Sequence, residues 1–288
     1  MSKRIHGFRS PEALDAGLGI VVRPDDVFIA TYSKSGTTWV QQVVHGLRSG
    51  GSMEFGEISE VVPWLESALD MGIVPDADQA WSPRAFKSHL MWCDVPKGGR
   101  YITVFRDPLS VLPSFYRFLE GWWFEPGTVT VEEFATEFYM AGSASGRHWD
   151  HLVDWWPQID RPNVLVLCYE DMVQVPHQVA PTIADFLGIA LDTTAMDVVV
   201  RQSSRDFMAA HAFQFDEHMI RAARDEVWGL PAGGDTAKVR TASPALAVPE
   251  NVRVALAEVW SSTVESALAF EDYDALRKAL PNPLGARR

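Results

Sequence analysis

FIATYSKSGTTWVQQVV, residues 28 to 44, decides the fold of this 288-residue chain. An apolar run ends at a short turn that holds one lysine, one glycine and several hydroxyl side chains, and a helical pattern begins directly after it. A strand that ends in such a turn before a helix presents several backbone N–H groups and the positive end of the helix dipole to one point. The segment therefore predicts an anion site between a strand and a helix.

The polar residues of this turn suit such a site. Lys34 adds a full positive charge, Gly36 permits close approach of the backbone, and the hydroxyl groups of Ser35, Thr37 and Thr38 can donate hydrogen bonds to oxyanions. A surface turn with an N-capping serine or threonine is the simpler alternative for this segment taken alone. The nucleoside-triphosphate pattern G-x-x-x-x-G-K-[ST] does not fit, because the lysine precedes the glycine and the first glycine is missing.

The rest of the chain alternates short apolar segments with longer segments of helical period, which is typical of parallel strands joined by helices. Hydrophobic residues make up 47% of the chain and charged residues 22%, as in ordinary globular proteins. We predict one α/β domain over residues 1–288, with a central parallel sheet flanked by helices. The predicted strands span 26–32, 85–89, 100–106 and 163–169, and the predicted helices span 37–48, 108–120, 131–141, 146–157, 176–187 and 249–267.

Charge and hydropathy narrow the choice of partners. The net charge of −13 argues against general binding to nucleic acid or to an anionic membrane surface, so an anionic ligand must be held by a local site. No run of 18 apolar residues occurs, and the amino terminus lacks the apolar core of a signal peptide. Of the two cysteines, Cys168 lies in the apolar run VLVLCY, as a small buried thiol would. A small-molecule ligand and a cytoplasmic location are the resulting expectations.

A family resemblance begins with TYSKSGTTW, residues 31–39. It is similar to the 5′-phosphosulfate-binding loop of the cytosolic-type sulfotransferases, usually T-Y-P-K-S-G-T-T-W. Ser33 replaces the proline, which removes a rigid φ but leaves every ligand group of the loop in place. The resemblance implies a P-loop-NTPase-like three-layer α/β/α fold, 3′-phosphoadenylyl sulfate as cofactor, adenosine 3′,5′-bisphosphate as product, and no metal. It implies cofactor contacts from all of Lys34, Ser35, Gly36, Thr37, Thr38 and Trp39.

A second segment, YITVFRDPLSVLPSFY at 101–116, resembles the strand and helix that bind the 3′-phosphate in this family. Arg106 at the end of the strand can grip a phosphate with two hydrogen bonds, and Ser114 on the next helix can add a hydroxyl group. Considered alone, Arg-Asp-Pro at a strand end is often an ion-paired turn. The two segments follow one another along the chain as they do in the family, which favours the phosphate-binding interpretation.

A third segment, FKSHL at 86–90, resembles the family's K-x-H segment, in which the histidine is the catalytic base. A lone histidine at a strand end is more often structural, but His89 has the ordinary pKa for taking a proton from an attacking hydroxyl group near neutral pH. Strand alternation places Lys87 and His89 on the same side. The resemblance thus implies His89 as base, Lys87 polarising the sulfuryl oxygens, and Lys34 stabilising charge on the leaving phosphate oxygen.

Looser matches extend the predicted cofactor site. YEDM at 169–172 is similar to the family's Y-E-D-[LM], which implies that Tyr169 contacts the adenine and that Trp39 stacks on it. SSRDFM at 203–208 resembles T-S-F-x-x-M, which implies an adenine contact for Ser203. Arg205 replaces the family's phenylalanine, and a guanidinium plane can also lie on a purine.

The carboxyl-terminal part departs from the family. Its R-K-G-x-x-G-D-W segment is missing, and DTAKVRTAS at 235–243 is the basic stretch in that region. Lys238 and Arg240 either replace the missing segment at the 3′-phosphate or are solvated loop charges. The family's dimer motif is not recognisable, so the resemblance gives no oligomeric state.

The resemblance implies transfer of a sulfuryl group to a hydroxyl group or an amine of a small acceptor. Aromatic residues between the cofactor motifs either wall an apolar acceptor pocket or fill the core. They are Trp64, Trp81, Trp92, Phe118, Trp122, Trp123 and Phe124. GWWFEPG, residues 121–127, is expected to form a mobile lid, because three consecutive large aromatics should not all face inward.

Three other interpretations are weighed against this one. His148 and His151 could suggest a metal pair, but no third ligand is near in sequence, so an exposed helix face is expected. A P-loop nucleotide kinase or NTPase is disfavoured by the position of the lysine. A non-catalytic nucleotide-binding protein is disfavoured by the presence of Lys34, Lys87 and His89 together.

Overall fold

The computed structural model describes residues 9–142, 146–230, 236–239 and 246–288. Within these ranges four strands pair in parallel in the order β2-β1-β3-β4. The strands are β1 Val27–Ala30, β2 Ala85–Ser88, β3 Arg100–Phe105 and β4 Val164–Cys168. Each strand lies inside its predicted segment, and the predicted α/β class with a central parallel sheet is confirmed.

Helices connect and flank these strands. They are α1 Pro11–Leu18, α2 Thr37–Ser49, α3 Ile58–Val61, α4 Pro108–Glu120, α5 Val131–Phe134, α6 His148–Trp155, α7 Tyr169–Gln174, α8 Val179–Leu187, α9 Thr193–Gln202, α10 Arg205–Ala210, α11 His218–Trp228, α12 Glu250–Trp260, α13 Ser266–Leu268 and α14 Tyr273–Ala279. Two single-turn π-helices, Ala135–Tyr139 and Ser261–Glu265, follow α5 and α12. The sequence did not predict α1, α3, α7, α9, α10, α11 or α14, most of which are too short for their periodicity to stand out.

The strands bury both faces. In β1, Val27 and Ile29 pack into one hydrophobic cluster, and Phe28 and Ala30 pack into the other. Because successive side chains of a strand point to opposite faces, the two clusters are two helical layers on either side of the sheet. One layer contains the apolar faces of α2 and α8 and the other those of α4, α6 and α12. This is the expected three-layer α/β/α arrangement.

The strand order changes direction between β1 and β3, at the centre of the sheet. From β1 the chain passes to β2 on one side, and then crosses to β3 on the other side. In an open parallel sheet, ligands bind in the crevice outside the carboxyl ends of the strands at such a switch point. The turn after β1 carries Lys34, and the residue after β3 is Arg106, so both lie at this crevice.

Two expectations about burial are wrong. Trp122 and Trp123 are 3% and 7% exposed, and Phe124 packs partly buried against the same core cluster, so three consecutive aromatics do face inward. A turn rather than a regular element carries them, which lets their side chains spread around one cluster. His148 and His151 are each 1% exposed instead of lying on an exposed helix face.

Cys168 is 2% exposed at the end of β4, as expected for a buried thiol. Among the described residues, the helices are all too short or too polar to cross a membrane.

Candidate functional site

A cavity of about 940 Å³ opens at the carboxyl ends of the strands. Residues from the turn after β1, the end of β2, the residue after β3, helix α4 and the start of α7 all line it. Segments from the second half of the chain close it, among them residues 203–205 and 237–239. The wall therefore brings together segments that are far apart in the sequence.

The turn after β1 owes its shape to two left-handed residues. Lys34 has φ 65° and Gly36 has φ 101°, and a left-handed conformation is strained for a lysine. The guanidinium of Arg106 donates from Nη1 to the Lys34 carbonyl oxygen at 2.6 Å, which holds this conformation. At Gly36 a Cβ atom would lie 3.0 Å from Cδ2 of Tyr169, so any side chain there would press on the tyrosine ring in addition to straining the backbone.

The helix after this turn keeps its first N–H groups available. Gly36 is the N-cap of α2 and supplies no side-chain hydrogen bond to the first turn. The first N–H groups of a helix have no partner within the helix and bind anions readily. Ser35 is fully buried, and its hydroxyl group has no hydrogen-bond partner among the described residues. The turn thus offers several unused donors to an anion.

Lys34 lies in a desolvated and cationic environment. Its Nζ is 4.1 Å from the ring centre of Phe118. Burial first, and then the nearby charge of Lys238, lower the pKa of Lys34 to about 7, while Glu217 opposes the shift. An anion bound beside this lysine would favour its charged form, so binding and protonation are coupled there.

Arg106 is held from three directions. Its guanidinium lies 4.0 Å from the ring centre of Tyr169, in addition to the hydrogen bond to Lys34. Its own carbonyl oxygen accepts a hydrogen bond from Nε2 of the buried His148 at 3.0 Å. The Nε of Arg106 is buried and has no partner in the described part of the chain. Arg106 is therefore fixed in place with a donor still available.

His89 is held in one tautomer. Its Nδ1 lies 2.9 Å from the Thr31 carbonyl oxygen, and because a carbonyl only accepts, Nδ1 carries the proton. Its backbone N–H donates to Oε1 of the buried Glu66 at 2.8 Å. The Nε2 atom keeps its lone pair, and His89 lines the cavity. Burial, followed by the charge of Lys87, lowers the pKa of His89 to about 3.

Lys87 is tied to a carboxylate that the sequence did not reveal. Its Nζ donates to Oε1 of Glu217 at 2.7 Å and lies 4.1 Å from the ring centre of Trp64. The Nζ of Lys238 reaches the same Oε1 atom at 2.5 Å. No motif marked Glu217, which is 130 residues from Lys87 and directly precedes α11.

The structure gathers most of the predicted site residues around this one cavity. Those that line it are Lys34, Gly36, Thr37, Thr38, Trp39, Lys87, His89, Arg106, Ser114, Tyr169, Ser203, Arg205 and Lys238. Ser35 lies within the turn but does not line the cavity, and Arg240 falls outside the described residues. Lys238 is not a solvated loop charge, since its side chain is 8% exposed and paired with Glu217.

The predicted aromatic wall is only partly present. Of the seven aromatic residues considered, Trp64, Phe118 and Trp122 line the cavity, and the other four do not. Phe115 and Phe138 add two rings that the sequence did not single out. The aromatic rings and the cationic groups share the same wall, since Lys34 lies on the ring of Phe118 and Lys87 on the ring of Trp64.

The charge of the cavity is opposite to that of the chain. Among the described residues that line it, seven are Lys or Arg, whereas Glu217 provides a carboxylate. The chain as a whole has a net charge of −13. Such a concentration of positive charge, together with the unused Nε donor of Arg106, fits a ligand that carries several negative charges.

Known proteins with similar sequences are sulfotransferases. A family model described as "Sulfotransferase domain" matches residues 24–230. Sulfotransferase 1B1 of Canis lupus familiaris is 32% identical over 197 residues, which cover 65% of this chain and 67% of that protein. Sulfotransferase 2A1 of Homo sapiens is 31% identical over 206 residues, which cover 69% of this chain and 71% of that protein.

Solved structures show a similar fold. A mouse sulfotransferase, SULT7A1 complexed with PAP, superimposes with a TM-score of 0.68 at 20% identity, over 91% of this chain and 93% of that chain. A retinol dehydratase in complex with androsterone and inactive cofactor PAP gives a TM-score of 0.64 at 18% identity, over 94% of this chain and 86% of that chain. At this level of identity the likeness concerns the fold.

Proposed function

This chain belongs to the sulfotransferase domain family, and from that premise we propose that it transfers the sulfuryl group of 3′-phosphoadenylyl sulfate to a small acceptor. The acceptor group is a hydroxyl group or an amine on an apolar or aromatic molecule. When bound, this cofactor supplies an activated sulfuryl group, and adenosine 3′,5′-bisphosphate is left. The protein's own residues must then bind two anionic groups, stabilise the charge that develops and remove a proton from the acceptor.

Binding is assigned to residues around the switch point. The turn from Lys34 to Thr38 would hold the 5′-phosphosulfate, with its unused N–H groups and the ammonium group. Arg106 and Ser114 would hold the 3′-phosphate. The adenine would lie among Trp39, Tyr169, Ser203 and Arg205, and Lys238 would add positive charge to the cavity wall. The excess of cationic over anionic groups along the cavity supports this assignment.

The observation that carries the proposed chemistry is the state of His89. The hydrogen bond from Nδ1 to Thr31 leaves a lone pair on Nε2 in a cavity that Lys34 and Lys87 also line. This is the form in which an imidazole accepts a proton. The pKa of about 3 is low for a base at neutral pH. An anion near Lys87 would offset part of the charge that lowers it and would raise it.

Lys34 and Lys87 have the electrostatic role. Preorganised donors at the site of developing charge are each worth roughly 3–4 kcal/mol in enzymes where they have been removed. The aromatic part of the cavity, with Trp64, Phe118 and Trp122, supports an apolar or aromatic acceptor.

The experiment uses cofactor labelled in the sulfuryl group and a panel of phenols, aliphatic alcohols and amines. We expect labelled product with at least one hydroxylated or amino acceptor, and a His89→Gln variant should lose about 10² to 10⁴ in kcat while its affinity for adenosine 3′,5′-bisphosphate stays the same. The exposed His211 provides a control, His211→Gln, that should keep full activity. Transfer at the wild-type rate by the His89 variant would show that another group is the base.

A second measurement addresses the kinase alternative. Adenosine 3′,5′-bisphosphate should raise the thermal midpoint of the protein more than ATP with Mg²⁺ does at equal concentration, because a ligand stabilises the fold according to its affinity. Equal or greater protection by ATP would refute the proposed cofactor.

A further inference from the structure

Glu217 joins three separate parts of the chain at one oxygen atom. Oε1 accepts from Lys87 on β2 at 2.7 Å and pairs with Lys238 of residues 236–239 at 2.5 Å, while Glu217 itself directly precedes α11. The side chains of Lys87, Glu217 and Lys238 are 3%, 5% and 8% exposed. The contact therefore lies in the wall of the cavity and not at its rim.

Contacts of the residues that follow Glu217 fix its position. The N–H of Met219 donates to Oε2 of the buried Glu57 at 2.7 Å, which anchors the start of α11. Nη1 of Arg221, one turn along the helix, lies 3.4 Å from the hydroxyl oxygen of Thr236. The helix start thus holds the segment 236–239 at two points, through Arg221 and through Glu217.

The charge balance makes this carboxylate necessary. Lys34, Lys87 and Lys238 are close enough to affect one another electrostatically, and the carboxylate of Glu217 lies among them. Like charges held in a desolvated wall repel one another unless a counter-charge is present. Burial costs a charge several kcal/mol if it has no partner. An amide in place of Glu217 would keep one acceptor oxygen but would remove the negative charge.

We propose, building on the sulfuryl transfer proposed above, that Glu217 is a positioning residue that holds the Nζ atoms of Lys87 and Lys238 in the cavity wall before the cofactor arrives. It keeps Lys87 over the ring of Trp64, beside His89, and it attaches residues 236–239 to the reaction centre. Its effect on the reaction passes through the two lysines.

The ionisation of the lysines follows from this arrangement. Burial lowers the pKa of Lys87, Lys238 lowers it further, and Glu217 and Glu57 raise it. The pKa of Lys34 responds to Glu217 in the same direction, and among the described residues His89 and Arg106 also face this cluster. Removing the negative charge of Glu217 lowers the pKa values of Lys87 and Lys34, so these two ammonium groups lose their protons at lower pH.

The test compares Glu217→Gln with Asp216→Asn, which removes the same charge from the neighbouring residue. The carboxylate of Asp216 forms its hydrogen bond with His218 instead of with Lys87 or Lys238. We expect the alkaline limb of the pH profile of kcat/KM to move at least one pH unit to lower pH in Glu217→Gln, with a loss of at least tenfold in kcat at pH 8.5. Asp216→Asn should keep the wild-type profile. Calorimetry in buffers of different ionisation enthalpy should show more protons taken up by Glu217→Gln than by the wild type when adenosine 3′,5′-bisphosphate binds.

A second variant gives a shift of opposite sign. Lys238→Met removes a positive charge that lowers the pKa of Lys87, so the alkaline limb of the pH profile of kcat/KM should move to higher pH. This arm does not depend on the stability of Glu217→Gln. Failure of the wild type to transfer the labelled sulfuryl group would refute the proposed function. Transfer by the wild type, combined with an unchanged alkaline limb in both variants, would refute the role of Glu217 alone.

Discussion

Four buried histidines should make the fold sensitive to mild acid. His45, His89, His148 and His151 are between 0% and 8% exposed. Burial is the largest cause that lowers the pKa of each, to about 4 for His45 and to about 3 for the other three. In the unfolded chain all four regain the ordinary value near 6.5. Between pH 6.5 and the folded values the unfolded chain binds more protons, so stability falls as pH falls.

The size of the effect follows from this difference. From pH 7.5 to pH 5.5 each histidine that stays neutral in the fold should lower the free energy of unfolding by about 1.4 kcal/mol, and the four together by about 5.5 kcal/mol. This is a large part of the roughly 5–15 kcal/mol that stabilises a typical domain. Glu57 acts in the opposite direction, since burial raises its pKa, but a single carboxyl group offsets only a fraction of the loss.

The assay is urea unfolding followed by tryptophan fluorescence at half-unit steps from pH 7.5 to 5.5. A His151→Leu variant should show a smaller dependence of the unfolding free energy on pH, by about one proton, whatever its stability at pH 7.5. His177 is exposed, and His177→Gln should leave the dependence as in the wild type. A wild-type free energy of unfolding that changes by less than about 1 kcal/mol over this range would refute the reasoning.

Three further predictions concern the cavity. The affinity for adenosine 3′,5′-bisphosphate should fall as pH rises from 7 to 9, because the pKa of Lys34 is about 7 and binding must restore its proton. Calorimetry should show that the wild type takes up protons when this nucleotide binds, and that Lys34→Gln abolishes this uptake. Gly36→Ala should weaken the binding of adenosine 3′,5′-bisphosphate at least tenfold and destabilise the fold by about 2 kcal/mol in urea titrations. The reason is that φ is 101° at this position and a tyrosine carbon lies 3.0 Å from the new Cβ. The control Gly50→Ala, with φ 65° and no atom within 4 Å of the new Cβ, should destabilise the fold by only about 1 kcal/mol. Phe118→Ala should raise the KM of an aromatic acceptor about tenfold through lost apolar contact, whereas Phe124→Ala, which does not line the cavity, should leave that KM unchanged in steady-state assays.

Much of the architecture was predictable from short windows of sequence. The predicted strand at 26–32 contains the observed Val27–Ala30, and the predicted helix at 108–120 has the observed bounds. Both signals are local, since an apolar run between turn residues and a helical period behind a proline can be read without knowing the rest of the fold. The turn around Lys34 and the residue after β3 were predictable for the same reason. Their roles in binding stay predictions.

Other features depended on contacts that no local pattern encodes. The tryptophans at 122 and 123 are both buried because the turn that carries them spreads its side chains into one cluster. His148 is buried where its ring packs 4.7 Å from that of Tyr32 and its Nε2 donates to the carbonyl oxygen of Arg106, and both partners are distant in sequence.

The pairing of Glu217 with Lys87 joins positions 130 residues apart. The sequence by itself determined where strands end and which turn faces the crevice, since backbone propensity and turn chemistry act over a few residues. Tertiary structure alone decided which charges meet in the cavity wall, because that depends on how distant segments pack together and exclude water.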